Sequence, residues 1–405
     1  MGRYPEEHHE PYPLERWEPR SPEQWARQDP FREVDLPIEQ RYPEQAQVAV
    51  FEAWNHLPTP LRRQVWFERE VAAGLYARSR DWKRIPGIRF LSVGNRGEGA
   101  RRRRVGIVSI EPTLGEDRMP THESLGIPES IRIRSRVNED VFVPVWIEHQ
   151  LPAEMLSHAF VPPGQFIAAS NVSPLSGPVP TVQSGDVIAG ESPAGFRTPG
   201  TLTAVVSRVN NNALLLLCAA HVLGKSRWKV VANVPVPAEV GNVIEIDQDL
   251  DAGLAELKPP WKVDFRLKAV PMVPAAPVMP YTDMPVQFYG GASGHQRGWI
   301  NTVNSIPVGG KLVGIIPHFT VSIPSKPGDS GALLISGHGT DNPFPTAYAG
   351  QMGPQYLEAM TCAMLGMIVT GPSSTISPAT RPQTYVTPIL SVLNHFRLRA
   401  WVRSM

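Results

Sequence analysis

The sequence predicts an all-β fold divided into two units and preceded by a helical extension at the N-terminus. Three observations lead there. Short runs rich in β-branched and aromatic residues, bounded by Gly, Asn and Pro, recur from about residue 88 onward. The 43 prolines and 33 glycines among 405 residues suit extended connections better than a helical bundle. Helical spacing of apolar residues is evident before the β-rich texture begins, over about residues 43–80. Many short strands with turn signals imply a barrel or a sandwich. Pro-rich segments divide this one in two.

Composition narrows the function classes. The formal charge is +1, so no global field favours nucleic acid or an anionic membrane as partner. Cys218 and Cys362 are too few for a disulfide-stapled secreted domain. The first residues, "MGRYPEEHHEPYPLERWEP", lack an apolar signal region. The apolar run Ala213–Ala220 is far too short to span a bilayer and reads as a buried strand. A cytoplasmic location is expected, with no membrane partner and no cofactor. His8-His9 beside Glu6-Glu7 lack metal-ligand spacing, so no metal is expected. Arg101–Arg104 read as a solvated loop between strands.

Along the chain, residues 1–41 are polar and Pro-rich and read as an extended or disordered arm. Residues 42–84 read as a helical hairpin; Thr59-Pro60 look like an N-cap followed by Pro at the first helical position, and Leu61, Val65, Ala72, Leu75 and Tyr76 recur at helical spacing. Residues 85–405 form the β domain. Its strands begin with "GIRFLSVG", "RVGIVSIEP", "SIRIRSRV" and "VFVPVWIE". Residues 151–200, rich in Pro, Gly and Ser, read as a long loop. Strands resume at "GTLTAVVSRV" and "ALLLLCAAHVLG", and a Pro-rich connection follows over about 258–280. "PVQFYGGASGHQRGWINTV", "PHFTVSI", "GALLIS" and "AMLGMIVTG" complete the strands, with a short helix near "PILSVLNHFRL".

Three stretches carry chemistry. His221 follows a buried apolar strand and two alanines in "LLLLCAAHVLG". Asp251 enters a small apolar strand in "DLDAGLAEL", where a carboxylate would be buried and in need of a partner. Asp247 and Asp249 are rival acids, disfavoured because the apolar strand follows Asp251. Ser330 sits in the Gly-rich turn of "SKPGDSGALLIS". A serine hydroxyl is a weak nucleophile until an imidazole takes its proton. An acid then fixes the imidazole tautomer and stabilises the imidazolium. The order His, Asp, Ser is one of the recurrent orders for such sites. The turn offers the N–H groups of Gly328 and Ser330 to a developing oxyanion.

These residues resemble the trypsin-like, chymotrypsin-fold serine peptidases, most closely their disulfide-free bacterial-type members. "CAAHV" is similar to the family's histidine motif, "DAGLAEL" to its Asp-x-Ala-Leu stretch, and "PGDSGALL" to Gly-Asp-Ser-Gly-Gly with Ala332 in place of the last Gly. "LGMIVTG" resembles the strand lining the substrate cleft, and "YVTPILSVLNHF" the closing strand and helix. "GGASGHQRGWI" is similar to a hairpin of the bacterial-type members. The resemblance is strongest over 195–400 and extends more weakly upstream through the strands to about Glu148. Val222 replaces the usual Cys after the histidine, so the family's disulfide there is absent.

The resemblance implies a two-barrel fold, with His221 as general base, Asp251 as its orienter, Ser330 as nucleophile, and Gly328 and Ser330 as the oxyanion hole. It implies a substrate cleft lined by Pro324, Val369 and Gly371. Pro324, with Lys326 nearby, offers no carboxylate to a basic side chain, so small or apolar residues are expected before the cleaved bond. The expected function is a serine endopeptidase acting on protein or peptide substrates. The alternative is a catalytically inactive module on the same fold, engaging a partner protein through its helical N-terminal region. A lone helical hairpin buries too little apolar surface to be stable. Phe51, Trp54, Trp66 and Phe67 must therefore cover the β domain or a partner. One expectation is that residues 1–80 stand outside the core and regulate it, as an inhibitor or docking arm near the cleft or through contact of residues 42–84 with a partner protein or a second copy. The alternative is a structural cap on the barrel.

Overall fold

The computed structural model describes residues 19–30, 47–82, 85–111, 120–134, 140–149, 153–155, 180–211, 213–233, 237–270, 272–307, 318–337, 360–372 and 384–399. The chain opens with helices α1 (Pro22–Gln28), α2 (Gln47–Asn55) and α3 (Thr59–Trp82). Helix α1 lies within the stretch read as an extended arm, most of which falls outside the described residues. It forms because Ser21 accepts from the Gln24 N–H and Pro22 opens the first turn. Its Trp25 is buried against Trp54 and Trp66, with ring centroids 5.3 and 5.0 Å away.

Helix α3 lies on a small sheet made by β1 (Ile88–Arg96), β2 (Arg103–Ile110), β3 (Ser130–Arg134) and β4 (Asp140–His149), with the short helix α4 (His122–Leu125) between β2 and β3. Strands β1 and β2 pair antiparallel, β2 and β4 parallel, and β3 and β4 antiparallel. Leu75 packs so closely on β2 that a Cβ at Gly106 would come within 2.8 Å of its side chain. Arg101, Arg102 and Arg103 are exposed, as expected of a solvated run; Arg102 pairs with Asp283, and Arg104, within β2, departs from that expectation by reaching buried Glu68 at 3.1 Å. Only the facing helix and barrel supply these acids, and neither adjoins the arginines in sequence.

Next come β5 (Ala153–Met155), β6 (Thr181–Ser184), β7 (Val187–Glu191), β8 (Arg197–Thr201), β9 (Ala204–Arg208) and β10 (Leu214–Ala219), then α5 (Ala220–Leu223), β11 (Lys229–Asn233), β12 (Pro237–Asp247) and β13 (Ala252–Leu257). Their order across the sheet is β9-β10-β13-β12-β11-β7-β8. Because β8 runs into β9 through Leu202 and Thr203, the sheet closes on itself as a first barrel. The described part of 151–200 is thus largely strand, not loop. Its glycines look like turn signals but mark close approach. A Cβ at Gly190 would lie 2.0 Å from the Leu223 carbonyl oxygen, and one at Gly200 would lie 2.8 Å from that of Ser330.

The Pro-rich connection carries β14 (Lys262–Leu267), parallel to β6, and β15 (Met272–Pro277). The second barrel uses β16 (Pro285–Gly290), β17 (Gly294–Pro307), β18 (His318–Val321), β19 (Leu333–Ser336), β20 (Met360–Pro372) and β21 (Thr384–Pro388). The pairing runs β16-β19-β20-β21-β18-β17 and returns from β17 to β16, a closed ring. Helix α6 (Ile389–His395) and β22 (Leu398–Arg399) follow, and β22 pairs with β9 of the first barrel. The fold is the all-β two-barrel arrangement with a helical N-terminal extension.

The extension is not set apart from the core. Strand β1 pairs with β17, with Gly94 opposite Thr302. Trp54, Trp66, Val71 and Leu75 share one apolar cluster with Ile300, Phe319 and Leu334 of the second barrel. For the described residues of 1–80, this packing corrects the expectation that they stand outside the core and agrees with the alternative of a cap. Helix α3 covers β1–β3, and β1 is carried on the barrel strand β17. Among the described residues, no helix is long and apolar enough to cross a membrane.

Candidate active site

Apolar strand β10 ends at the wall of the first barrel and turns at once into α5, which places His221 at its second position. Asp251 closes the turn between β12 and β13 with φ of 46°, a left-handed conformation that Asp adopts more readily than most residues. Backbone bonds lock the two segments together: the Ala220 N–H donates to the Asp251 carbonyl at 3.0 Å, and the His221 N–H donates to Asp251 Oδ1 at 3.1 Å.

The imidazole meets the same carboxylate. His221 Nδ1 lies 2.7 Å from Asp251 Oδ2 and 3.0 Å from Oδ1, and Asp251 is 1% exposed. An ionised carboxylate only accepts, so in the neutral imidazole Nδ1 carries the proton and Nε2 the lone pair. The rival acids lie elsewhere. Asp247 pairs with His395 at 2.8 Å and accepts from the Leu250 N–H, and Asp249 is exposed.

Ser330 comes from the second barrel, on the turn leading into β19. The Thr201 N–H of β8 donates to its carbonyl at 2.7 Å. The point above Gly200 that lies 2.8 Å from that carbonyl lies 2.3 Å from the Val222 side chain, next to His221. The serine turn and the histidine turn therefore pack on one strand. Ser330 Oγ and His221 Nε2 are both buried and both without a hydrogen-bond partner among the described residues. Buried polar atoms are normally paired. The two atoms make no hydrogen bond to one another, although the turns that carry them both pack on Gly200.

The turn itself is fixed at several points. The N–H groups of Asp329, Gly331 and Ala332 donate to Lys326, Ile368 and Asp329 carbonyls at 2.9, 2.8 and 2.9 Å. The Gly328 carbonyl accepts from the Thr201 hydroxyl at 2.7 Å, and Gly328 has φ of 102°. The N–H groups of Gly328 and Ser330 meet no acceptor among the described residues. Buried Asp329 accepts from the N–H groups of Ala292, Ser293 and Lys326 at 3.0, 2.9 and 2.8 Å, and from the Ser293 hydroxyl.

Val369 is buried in β20 beyond Ile368, and Gly371 lies further along the same strand. Pro324 is exposed, just before the turn, as is Lys326. Sequence reasoning missed Thr201 and Ser293. Ser293 lies in the quoted "GGASG" stretch, where its contact with Asp329 was open to inference. Thr201 acts across 127 residues of chain, and no local pattern marks it.

No family model matches the sequence, and no curated protein matches it. Solved structures do. Thermobifida fusca Protease A is similar at 15% identity over 55% of this chain and 100% of its own, with a TM-score of 0.38. Cellulomonas bogoriensis chymotrypsin is similar at 16% identity over 55% and 99%, with a TM-score of 0.36. Nocardiopsis protease is similar at 15% identity over 55% and 100%, also with a TM-score of 0.36.

Proposed function

We propose that the protein is a serine endopeptidase that hydrolyses peptide bonds of protein substrates through an acyl-enzyme. The observation that carries this reading is the pair of unpartnered buried atoms, Ser330 Oγ and His221 Nε2, with Nδ1 of the same imidazole on Asp251. The N–H groups of Gly328 and Ser330, which meet no acceptor among the described residues, support it. In this reading His221 Nε2 takes the Ser330 proton as Oγ attacks the substrate carbonyl carbon. The oxyanion turns to the Gly328 and Ser330 N–H groups. His221 passes the proton to the leaving amine, and water then releases the acyl group by the reverse sequence of proton transfers.

In this reading Pro324, which the resemblance puts where a carboxylate would select a basic side chain, suits small or apolar side chains before the cleaved bond. Hydrolysis of an unfolded protein substrate, followed by mass spectrometry of the products, tests both points. Cleavage after small or apolar residues is expected, and it should fall by several orders of magnitude in Asp251→Asn. Undiminished cleavage by that variant would overturn the assigned role of Asp251, and a preference for Arg or Lys would overturn the specificity.

A further inference from the structure

Strand β20 is paired along both of its edges. One edge takes β21, with Ile368 opposite Val386 and Thr370 opposite Tyr385. The other takes β19, with Leu334 opposite Gly366 and Leu333 opposite Met367. That second edge runs on into the serine turn: the Gly331 N–H donates to the Ile368 carbonyl at 2.8 Å, and the Ile368 N–H donates to the Ala332 carbonyl at 3.0 Å. There the chain bearing Ser330 turns away. Strand β5 follows, antiparallel, with Met155 opposite Thr370, Glu154 opposite Gly371 and Ala153 opposite Pro372. Because Tyr385 already lies on the other side of Thr370, β5 and the serine turn share one edge.

A substrate must bring a peptide bond to Ser330 Oγ. An extended chain is held on a sheet edge by main-chain hydrogen bonds whatever its sequence. The edge that begins where the serine turn ends is that of Thr370, Gly371 and Pro372. Met155 stands two positions along β20 from Ile368, about 7 Å at strand rise. The pairing of β5 shows that this edge takes an extended chain, and that the protein's own backbone holds it. One strand edge bonds one partner strand at a time, so β5 and a substrate strand exclude each other there.

We propose that Ala153–Met155 is a built-in inhibitory strand: it fills the main-chain edge on which a protein substrate aligns, and it must leave before that substrate binds. The inference rests on the proposed endopeptidase function and adds its regulation. A ladder of three residues is short, so its opening is a local event and not an unfolding of the barrel. Tethering gives the strand a high effective concentration against any dissolved peptide. If β5 holds the edge about nine-tenths of the time, the apparent affinity for an extended substrate is about tenfold below its intrinsic value. A small reagent that meets only Ser330 and His221 does not need the edge and is not excluded.

The test compares two reagents on the full-length protein. One is a small fluorophosphonate. The other is an alanine tripeptide ending in a phosphonate diester, whose backbone requires the edge. The double variant Glu154→Pro/Met155→Pro removes two N–H groups from β5. It should react with the tripeptide reagent about tenfold faster than the wild type, at an unchanged fluorophosphonate rate. Equal tripeptide rates in the two proteins, or none in either, with Ser330 open to the fluorophosphonate, would overturn inhibition and leave the endopeptidase reading standing. So would a slower tripeptide rate in a variant that keeps its fluorophosphonate rate. Hydrogen exchange on the wild type tests the same point without a substitution. The amides of Glu154 and Met155 should lose protection when Ser330 carries the tripeptide reagent and keep it when Ser330 carries the fluorophosphonate. Protection kept with both would overturn the proposal. A folded protein in which neither reagent modifies Ser330 would overturn both readings.

Discussion

The carboxylate of Asp329, adjacent to Ser330, accepts the hydroxyl of Ser293 from the turn between β16 and β17. Among the described residues, no cationic side chain meets it. Three backbone N–H groups and this hydroxyl satisfy the charge instead. The turn bearing Gly328 and Ser330 is therefore anchored by neutral donors from within the folded chain.

If that anchor positions the oxyanion donors, Ser293→Ala should lower kcat with little change in KM. Its cost in stability is expected at about 1.5–3 kcal/mol, the worth of a hydrogen bond to a charged group. Ser293→Thr should restore most of both. Steady-state kinetics with urea unfolding checks this. A variant that loses stability and keeps its kcat would assign Ser293 a purely structural role.

Thr201 joins the two barrels at the same turn. Its hydroxyl donates to the Gly328 carbonyl at 2.7 Å and accepts from the Gly291 N–H at 2.8 Å. Thr201→Val keeps the shape and strands both partners. Leaving each buried group unpaired costs about 1–3 kcal/mol. A fall in melting temperature and a fall in kcat are expected together, read by calorimetry and by hydrolysis rates on the same preparation.

Glu68 of α3 is buried, accepts from the Thr282 N–H and hydroxyl and from Gln64, and lies 3.1 Å from Arg104 Nε. Burial pushes its pKa up to about 7, against the lowering effect of the donors. Asp283 stands nearby as a second acid, and Arg104 is itself lowered to about 10 by burial. A carboxyl raised in the fold stabilises the protein below its unfolded pKa and loses that contribution as pH rises through the folded one. Stability should therefore fall by about 3 kcal/mol between pH 4.5 and about 7 from this group alone. Glu68→Gln should flatten that segment of the pH profile. Parallel profiles for the two proteins would show that Arg104 keeps Glu68 ionised throughout.

The N-terminal helices act as a cap in this packing. A chain starting at Asp81 would expose the β1–β3 face now covered by Val71 and Leu75. We expect it to aggregate or to unfold at much lower temperature. Trp25→Ala, which empties the contact with Trp54 and Trp66, should cost about 3–5 kcal/mol. Light scattering and thermal unfolding read both. A truncated protein that stays folded and cleaves faster would favour an inhibitory role for the helices.

The β-rich texture, the division into two units and the helical hairpin were legible because each depends on local patterns: alternation, Pro-rich breaks and helical spacing. The contact of His221 with Asp251 was legible too, because one apolar strand leads directly into His221 and another begins directly after Asp251. Helix α1 was overlooked although Ser21-Pro22 signals a helix start, because the surrounding composition is polar and its stability comes from Trp54 and Trp66 far along the chain. Strands β7 and β8 were hidden because Gly190 and Gly200 serve packing, and no single-strand pattern distinguishes that from a turn. The roles of Thr201 and Glu68 rest on partners more than 100 residues away, at Gly328 and Thr282, which local patterns do not encode.

In the proposed reading Ser330 is a nucleophile activated by His221. The most direct measurement is labelling of the folded protein with a fluorophosphonate, followed by peptide mapping. One modified residue, Ser330, is expected, with labelling abolished in His221→Ala and in Ser330→Ala. A folded wild-type protein left unlabelled, or one labelled equally well without His221, would contradict it.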